Sequence, residues 1–295
     1  MSGSHGHAGG RHRWRLVVSF VLIAGLFVVE LVAGLLSGSL ALLSDAGHMA
    51  ADVVTLGAAL VATRIATRVD KTGRRTFGSY RAEIFASGFA VLVMMGMAVY
   101  ITVEAVQRLG TTTSPAVGTM LLVGALGLVV NLIALFMLRG GAGESLNIKG
   151  AYLEVVADTL GSVGVILAAA LVAWTGDGWW DTVIASAIAL FVLVRAVLLA
   201  REVLPVLGQH APRGIEPKDM IEALEAVSGV VEVHDLHVWT LTSGMDVATA
   251  HLVASDGSAR VLAESAEVLR ARFDIAHATL QVEDESATPC KGSTW

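Results

Sequence analysis

Two pairs of ionisable residues lie within long apolar stretches of the sequence, where charged side chains are scarce. His48 and Asp52 form the first pair, Glu154 and Asp158 form the second, and the members of each pair are four residues apart. On an α-helix this spacing puts both side chains on one face, one turn apart. Because a charged group at bilayer depth is costly, these four residues are candidates for a functional site.

The four side chains together have the chemistry of a metal site. One imidazole nitrogen and three carboxylates suit a four-coordinate Zn²⁺ or a neighbouring divalent transition metal. Protons would compete for the same ligands, so the pattern predicts a site that exchanges metal for H⁺. The alternative is a set of buried helix–helix hydrogen bonds, but acids without a basic partner at the same depth would repel each other unless protonated or metallated.

The composition indicates that long membrane helices position these side chains. The chain has 295 residues, of which 55% are hydrophobic and 16% are charged, whereas soluble domains are about 25% charged. This excludes an ordinary soluble enzyme. Stretches of about 20 apolar residues can cross a bilayer, and six occur, at about 14–36, 40–64, 81–107, 116–138, 149–174 and 179–201. They predict a six-helix transmembrane domain at 14–206, preceded by a flexible His-containing tail at 1–13.

Lys and Arg are concentrated at one set of helix ends, and this excess predicts the cytoplasmic side. That set comprises Arg11, Arg13, Arg15, Arg64, Arg68, Lys71, Arg74, Arg75, Arg81, Arg139, Lys149, Arg195 and Arg201. The opposite loops contain only Arg108. Both termini are therefore predicted to face the cytoplasm, and the short loops favour the plasma membrane of a prokaryote.

The chain becomes acidic and less apolar after residue 208. Residues 209–295 contain 14 acidic and 6 basic side chains. Residues 207–285 show an αββαβ order of patterns, which predicts a small domain with helices on one face of a sheet. A flexible tail is predicted at 286–295. The net charge of −6 argues against a nucleic-acid partner, and the single cysteine, Cys290, excludes an internal disulfide.

Four segments resemble the cation diffusion facilitator family of divalent-metal/proton antiporters. They read GLLSGSLALLSDAGHMAAD (34–52), RTFGSYRAE (75–83), NIKGAYLEVVADTLGS (147–162) and VHDLHVW (233–239). The resemblance spans nearly the whole chain, in order. It implies an α-helical membrane protein of six transmembrane helices, with a C-terminal α+β ferredoxin-like cytoplasmic domain, that works as a homodimer.

The resemblance implies that the transported metal is bound by His48, Asp52, Glu154 and Asp158. Members of the family usually have His or Asp where this chain has Glu154. An oxygen therefore replaces a possible nitrogen, and Cd²⁺ or Co²⁺ become candidates beside Zn²⁺. The His-rich loop of many relatives is absent between residues 139 and 149.

The resemblance also implies metal sites in the cytoplasmic domain. The positions that match best are His234, His251, His277 and Glu283, and the tail residue Cys290 could add a thiolate. The alternative is a stable domain with surface histidines and no metal. His237 is predicted to lie on the opposite sheet face from His234 and to be structural, because the two are three residues apart on one strand.

Other polar residues in the spans leave more than one interpretation open. Asp45 is predicted to cap a helix, support the metal ligands or relay protons. Glu30 and Glu104 are expected to have structural or supporting roles. Asn131 is expected to form an interhelical hydrogen bond.

The sequence thus predicts a secondary active transporter that exports Zn²⁺, or Cd²⁺ or Co²⁺, from the cytoplasm in exchange for H⁺ by alternating access. It is expected to lie in the lipid bilayer as a homodimer, with no cofactor and no enzymatic activity. Zn²⁺ is then the transported substrate and a candidate ligand of the cytoplasmic domain. The alternatives are a membrane metal sensor and an intramembrane metal-dependent hydrolase. No P-loop is present, so an ATP-driven pump is not supported.

Overall fold

A computed structural model describes residues 9–66, 76–77, 81–108, 114–139, 146–242, 244–255 and 257–284. The chain divides into two compact units. The long helices up to Ala200, apart from the first turn of the third, form the first unit. The chain from Arg201 onwards belongs to the second.

Six long helices form the first unit, except that the first turn of the third and the last turns of the sixth belong to the second unit. They are α1 (Gly9–Ser37), α2 (Leu40–Ala66), α3 (Arg81–Gln107), α4 (Val117–Leu138), α5 (Leu146–Thr175) and α6 (Trp179–Leu207). Within the described residues, all but α2 are long and apolar enough to cross a membrane. α2 is the sixth long helix, and its first half carries Asp45, His48 and Asp52. The prediction of a multi-helix membrane fold is confirmed, and α1 begins at Gly9, within the predicted tail.

Large apolar side chains cover the outside of the helices, as expected for surfaces in contact with lipid. Leu36 and Trp174 are 83% and 84% exposed. Small residues are buried where helices meet. Ala51 of α2, Ala90 of α3 and Ala196 of α6 are all buried in one cluster. This packing brings the middle of α6 close to α2.

The first turn of α2 is held by an acid from α6. Asp181 accepts hydrogen bonds from the backbone amides of Leu40 at 2.7 Å and Ala41 at 3.1 Å, and from Ser39 Oγ at 2.7 Å. These amides have no partner within the helix, and a carboxylate at a helix N-terminus is favourable. Asp181 therefore fixes the start of α2, and with it the depth of the ionisable residues further along the helix.

The second unit contains an αββαβ domain, as the sequence predicts. Its elements are α7 (Pro217–Glu225), β1 (Val230–Thr242), β2 (Met245–Ala254), α8 (Ser258–Phe273) and β3 (His277–Asp284). The sheet order is β1-β2-β3, with β1 antiparallel and β3 parallel to β2. The core contains Met220, Leu224, Val233, Val238, Ala248, Ala250, Leu252, Val261 and Leu269. Helix and strand residues thus share one buried face of the sheet.

A bulge in β1 changes which of its residues lie together on the sheet face opposite the core. His234 pairs with His251 and His237 pairs with Thr249, so three steps on β1 oppose two on β2. Asp235, inside the bulge, has φ +50°. Residues opposite each other in a ladder lie on the same side of the sheet. The prediction that His237 lies on the opposite face from His234 is therefore wrong, because the extra residue restores the alternation.

Candidate metal centres

Three of the four predicted transport ligands come together between α2 and α5. His48 Nε2 lies 3.6 Å from Asp52 Oδ2 and 3.4 Å from Asp158 Oδ1. His48, Asp52 and Asp158 are 2%, 7% and 1% exposed. One ligand atom from each residue lies within 4.8 Å of the others, as coordination of a single ion requires.

Several polar atoms of this cluster have no hydrogen-bond partner among the described residues. They are His48 Nδ1, Asp52 Oδ2 and both carboxylate oxygens of Asp158. Burying such atoms without partners is costly. A divalent cation would satisfy the carboxylates, so the donor set fits a metal cargo.

The fourth predicted ligand, Glu154, instead pairs with Arg195 of α6. Its Oε2 accepts a hydrogen bond from Nη2 of Arg195, and the side chains are 33% and 25% exposed. The sequence places Arg195 among the cytoplasmic helix ends and predicts no basic partner at the depth of the acids. That expectation is wrong, because the packing of α6 on α2 directs the guanidinium into the site. The one available signal was that Arg195 lies well inside an apolar stretch.

Arg195 also contacts the histidine of the cluster. Its Nη1 lies 2.9 Å from His48 Nε2. A guanidinium can only donate, so Nε2 must accept, and the neutral imidazole then carries its proton on Nδ1. The lone pair of Nε2 is therefore occupied by Arg195 in this structure. For Nε2 to bind a metal ion, this hydrogen bond must break.

A second group of metal-binding side chains lies on the sheet of the C-terminal domain. His251 Nδ1 is 2.8 Å from Glu283 Oε1, and His234 Nε2 is 3.5 Å from Glu283 Oε2. The rings of His234 and His251 are 5.3 Å apart between centroids. All three residues offer ligand atoms within 4.8 Å of one another.

The structure separates His277 from this group. His277 pairs with Val247 at the start of β3, whereas His251 pairs with Gln281, four residues further along the strand. At about 3.3 Å per residue this distance is too large for a shared ion. Within one chain, His277 therefore lies apart from the other three predicted ligands. Cys290 lies outside the described residues.

Asp235 is a neighbour of the cytoplasmic group that the sequence does not indicate. Its Oδ1 lies 3.0 Å from His237 Nε2, and its Oδ2 lies 3.9 Å from His251 Nε2. The positive φ of the bulge turns this carboxylate towards both histidines. No sequence signal marks a bulge at this position.

The remaining polar residues in the helices have separate environments. Glu104 forms a salt bridge of 3.2 Å with Arg108, one turn away. Asn131 of α4 donates a hydrogen bond of 3.3 Å to Ser162 Oγ of α5, which confirms the predicted interhelical bond. Glu30 and Asp45 are buried with no hydrogen-bond partner for any carboxylate oxygen within the described ranges. Asp45 is thus not a helix cap; Asp181 has that role.

Comparisons with known proteins agree with this architecture. Residues 16–207 match the cation efflux transmembrane domain family, and residues 212–285 match the cytoplasmic domain of cation efflux proteins, a dimerisation domain. The chain is 43% identical over 292 residues to the metal cation efflux system protein CzcD of Cupriavidus metallidurans, covering 98% of this chain and 90% of the relative.

Other relatives have related names. The cadmium, cobalt and zinc/H(+)-K(+) antiporter of Bacillus subtilis is 37% identical over 96% of this chain and 92% of its own length. The zinc transporter ZitB of Escherichia coli is 33% identical over 99% of this chain and 95% of its own length. The metal-bound C-terminal domain of the CzcD transporter from Cupriavidus metallidurans is 36% identical, covers 23% of this chain and 99% of that domain, and has a TM-score of 0.23.

The matched domain families and the full-length relatives are those of metal transporters. An enzyme, or a protein that only senses metal, is therefore not favoured. The metal is the transported substrate, and the dimerisation domain indicates a homodimer. The chain belongs to the cation efflux family and is a multi-pass membrane protein that transports metal cations.

Proposed function

We propose that the protein exports Zn²⁺ from the cytoplasm in exchange for protons, with the metal bound by His48, Asp52 and Asp158. The observation that carries this proposal is the set of three buried ligand atoms within 4.8 Å of one another, on two different helices. A nitrogen ligand favours zinc over harder cations, while carboxylates admit Cd²⁺ and Co²⁺. The names of two relatives, a zinc transporter and a cadmium, cobalt and zinc antiporter, support this range.

Glu154 completes the site as the fourth ligand once Arg195 releases it. The guanidinium of Arg195 places one fixed positive charge against Glu154 and His48. An incoming divalent ion competes with that charge for the same atoms and also displaces protons from the ligands. Metal binding therefore changes the contacts by which Arg195 joins α6 to His48 on α2 and to Glu154 on α5. A change in these contacts is a physical route by which the bound ion shifts the helices between two states.

Alternating exposure of this site converts exchange into transport. On the cytoplasmic side the metal replaces protons on His48 and the carboxylates. On the other side protons return to the ligands and the metal leaves. Proton flow down its gradient then drives metal export, and the fixed site stays between the moving helices.

The distribution of Lys and Arg supports a location in the plasma membrane of a prokaryote, with both termini in the cytoplasm. In this orientation the C-terminal domain lies in the cytoplasm, where it is exposed to metal ions. His234, His251 and Glu283 bind zinc there, and Asp235 supports His251. The homodimer would respond to this second metal by a change in how its two protomers associate.

Uptake of zinc into proteoliposomes tests the transport function. With the purified full-length chain, an imposed pH gradient should drive zinc uptake. Asp158→Asn should abolish it, because this removes a buried ligand while keeping the side-chain shape. Glu104→Gln is the matched control, since Glu104 pairs with Arg108 away from the cluster. The absence of gradient-driven uptake by the wild type would refute export by proton exchange, and normal uptake by Asp158→Asn would refute the site.

A further inference from the structure

Glu30 and Asp45 are buried in the helix bundle, on the side of the His48 cluster towards the turn between α1 and α2. Their exposure is 0% and 1%, and none of their four carboxylate oxygens has a hydrogen-bond partner among the described residues. Neither forms a salt bridge within those residues. Burying an ionised carboxylate without hydrogen-bond or salt-bridge partners costs free energy, unless a cation neutralises its charge. The two acids therefore need a positive charge that the described side chains do not supply.

Two glycines let these acids approach neighbouring helices. A Cβ atom on Gly127 of α4 would lie 2.8 Å from Glu30 Oε1 and 2.8 Å from Ser162 Oγ. A Cβ atom on Gly161 of α5 would lie only 2.0 Å from Asp45 Oδ1. Both carboxylates thus occupy space that any larger residue would fill. Because Gly161 and Ser162 are adjacent, Asp45 and Glu30 both lie near the same segment of α5.

Asn131 provides a further oxygen at this place. It lies one helical turn after Gly127, on the same face of α4. Its Nδ2 donates to Ser162 Oγ at 3.3 Å, but its Oδ1 is buried and has no partner within the described ranges. The residue is 0% exposed. An amide oxygen, a hydroxyl oxygen and two carboxylates from four helices therefore converge on one buried region.

We propose that Glu30 and Asp45, with Asn131 and Ser162, form a second cation site that binds a monovalent counter-ion, either a proton held by the carboxylates or K⁺. The proposal rests on the proposed function, because this counter-ion is exchanged for the metal in addition to the protons of the metal ligands. The oxygen donors favour a hard cation over Zn²⁺, which takes nitrogen and sulfur ligands readily. A second divalent ion would also be repelled by the metal at the first site.

The site is separate from the metal cluster but close enough to be coupled to it. Asp45 precedes His48 by three residues on α2, and Ser162 follows Asp158 by four on α5. The titratable groups of the neighbouring cluster that face this region are His48 on α2 and Asp158 on α5; α1 contributes Glu30 itself, and α4 contributes only Asn131. A metal ion at His48 and Asp158 repels a cation at Glu30 and Asp45. Binding of one ion therefore favours release of the other, as exchange requires.

Zinc titration of the purified full-length protein tests the second site. Titration calorimetry in two buffers of different ionisation enthalpy counts the protons released per zinc. Repeating it with KCl or choline chloride measures the effect of K⁺ on the zinc Kd. The variants are Glu30→Gln and Asp45→Asn, which keep the side-chain shape, with Glu104→Gln as the control.

The variants should bind zinc within about threefold of the wild-type Kd. If the ion is a proton, each should release about one proton fewer per zinc. If it is K⁺, KCl should weaken zinc binding by the wild type, and this effect should be lost in the variants. A larger change in the zinc Kd would assign both acids to the metal site and overturn the proposal, as would unchanged proton release together with an unchanged K⁺ response. Gradient-driven uptake by the wild type is a separate measurement, so failure of the export function is distinguishable from failure of the second site.

Discussion

Nη1 of Arg195 lies 2.9 Å from Nε2 of His48, the same ring nitrogen that faces Asp52 and Asp158. The guanidinium of Arg195 thus occupies a nitrogen that the sequence predicts to be a metal ligand. It also holds Glu154 away from the cluster formed by the other three predicted ligands. An ion that binds the proposed His48 site would therefore have to displace the guanidinium of Arg195 from His48 and Glu154.

Arg195→Gln should tighten zinc binding. The metal would no longer have to displace a charge-assisted hydrogen bond, which contributes about 1.5–3 kcal/mol. We expect the zinc Kd to fall by about tenfold, measured by calorimetry on the purified protein. Arg201→Gln, on the same helix, is the control and should leave the Kd unchanged. A weaker zinc affinity in Arg195→Gln would show that the guanidinium orients the ligands instead of competing with the metal.

Glu154→His should narrow the range of metal ions that the site binds. An imidazole in place of a carboxylate favours zinc over harder ions such as Mn²⁺. We expect the ratio of zinc to Mn²⁺ affinity to rise by about tenfold, measured by competition binding. Glu154→Asp keeps the carboxylate and should keep the wild-type ratio. Equal ratios in all three proteins would mean that residue 154 never reaches the metal.

Gly161→Ala should destabilise the helix bundle. The added Cβ would lie 2.0 Å from Asp45 Oδ1, so α2 and α5 must separate or the carboxylate must move. Overpacking of this kind costs about 1–3 kcal/mol, which should appear as a lower Tm in detergent together with slower zinc uptake. Gly96→Ala on α3 is the matched control, because its Cβ would meet nothing within 4 Å. A wild-type Tm and uptake rate for Gly161→Ala would contradict the close approach.

His251→Ala should remove zinc from the cytoplasmic domain, whereas His277→Ala should not. His251 lies 2.8 Å from Glu283 and shares a ladder position with His234, while His277 lies at the far end of β3. Loss of one of three ligands should weaken zinc binding by more than the roughly 10–100-fold that follows loss of a hydrogen-bond partner of a ligand. The measurement is the number of zinc ions retained per full-length chain after dialysis. Retention of the wild-type number by His251→Ala, or loss of one ion by His277→Ala, would refute the assignment.

The local features of this protein could be predicted from its sequence. Apolar length and turn residues identify the six helices, because a helix in lipid must satisfy its own backbone and present apolar side chains around it. The four-residue spacing of His48 with Asp52 places both on one face of α2. Alternating apolar residues likewise predict the strands of the C-terminal domain. Each of these predictions depends on a local pattern in the sequence: the length of an apolar run, the spacing along a helix or the alternation along a strand.

Contacts that depend on packing between distant segments could not be predicted from the sequence. Packing between α2, α3 and α6 brings Arg195 to His48 across 147 positions, and no periodicity indicates such a contact. The bulge at Asp235 puts His237 on the face of His234 and adds a carboxylate beside His251. The sequence by itself therefore determined the candidate metal ligands and the elements on which they lie. The tertiary structure alone decided their partners, because side-chain contacts between helices and strands depend on how the backbones pack.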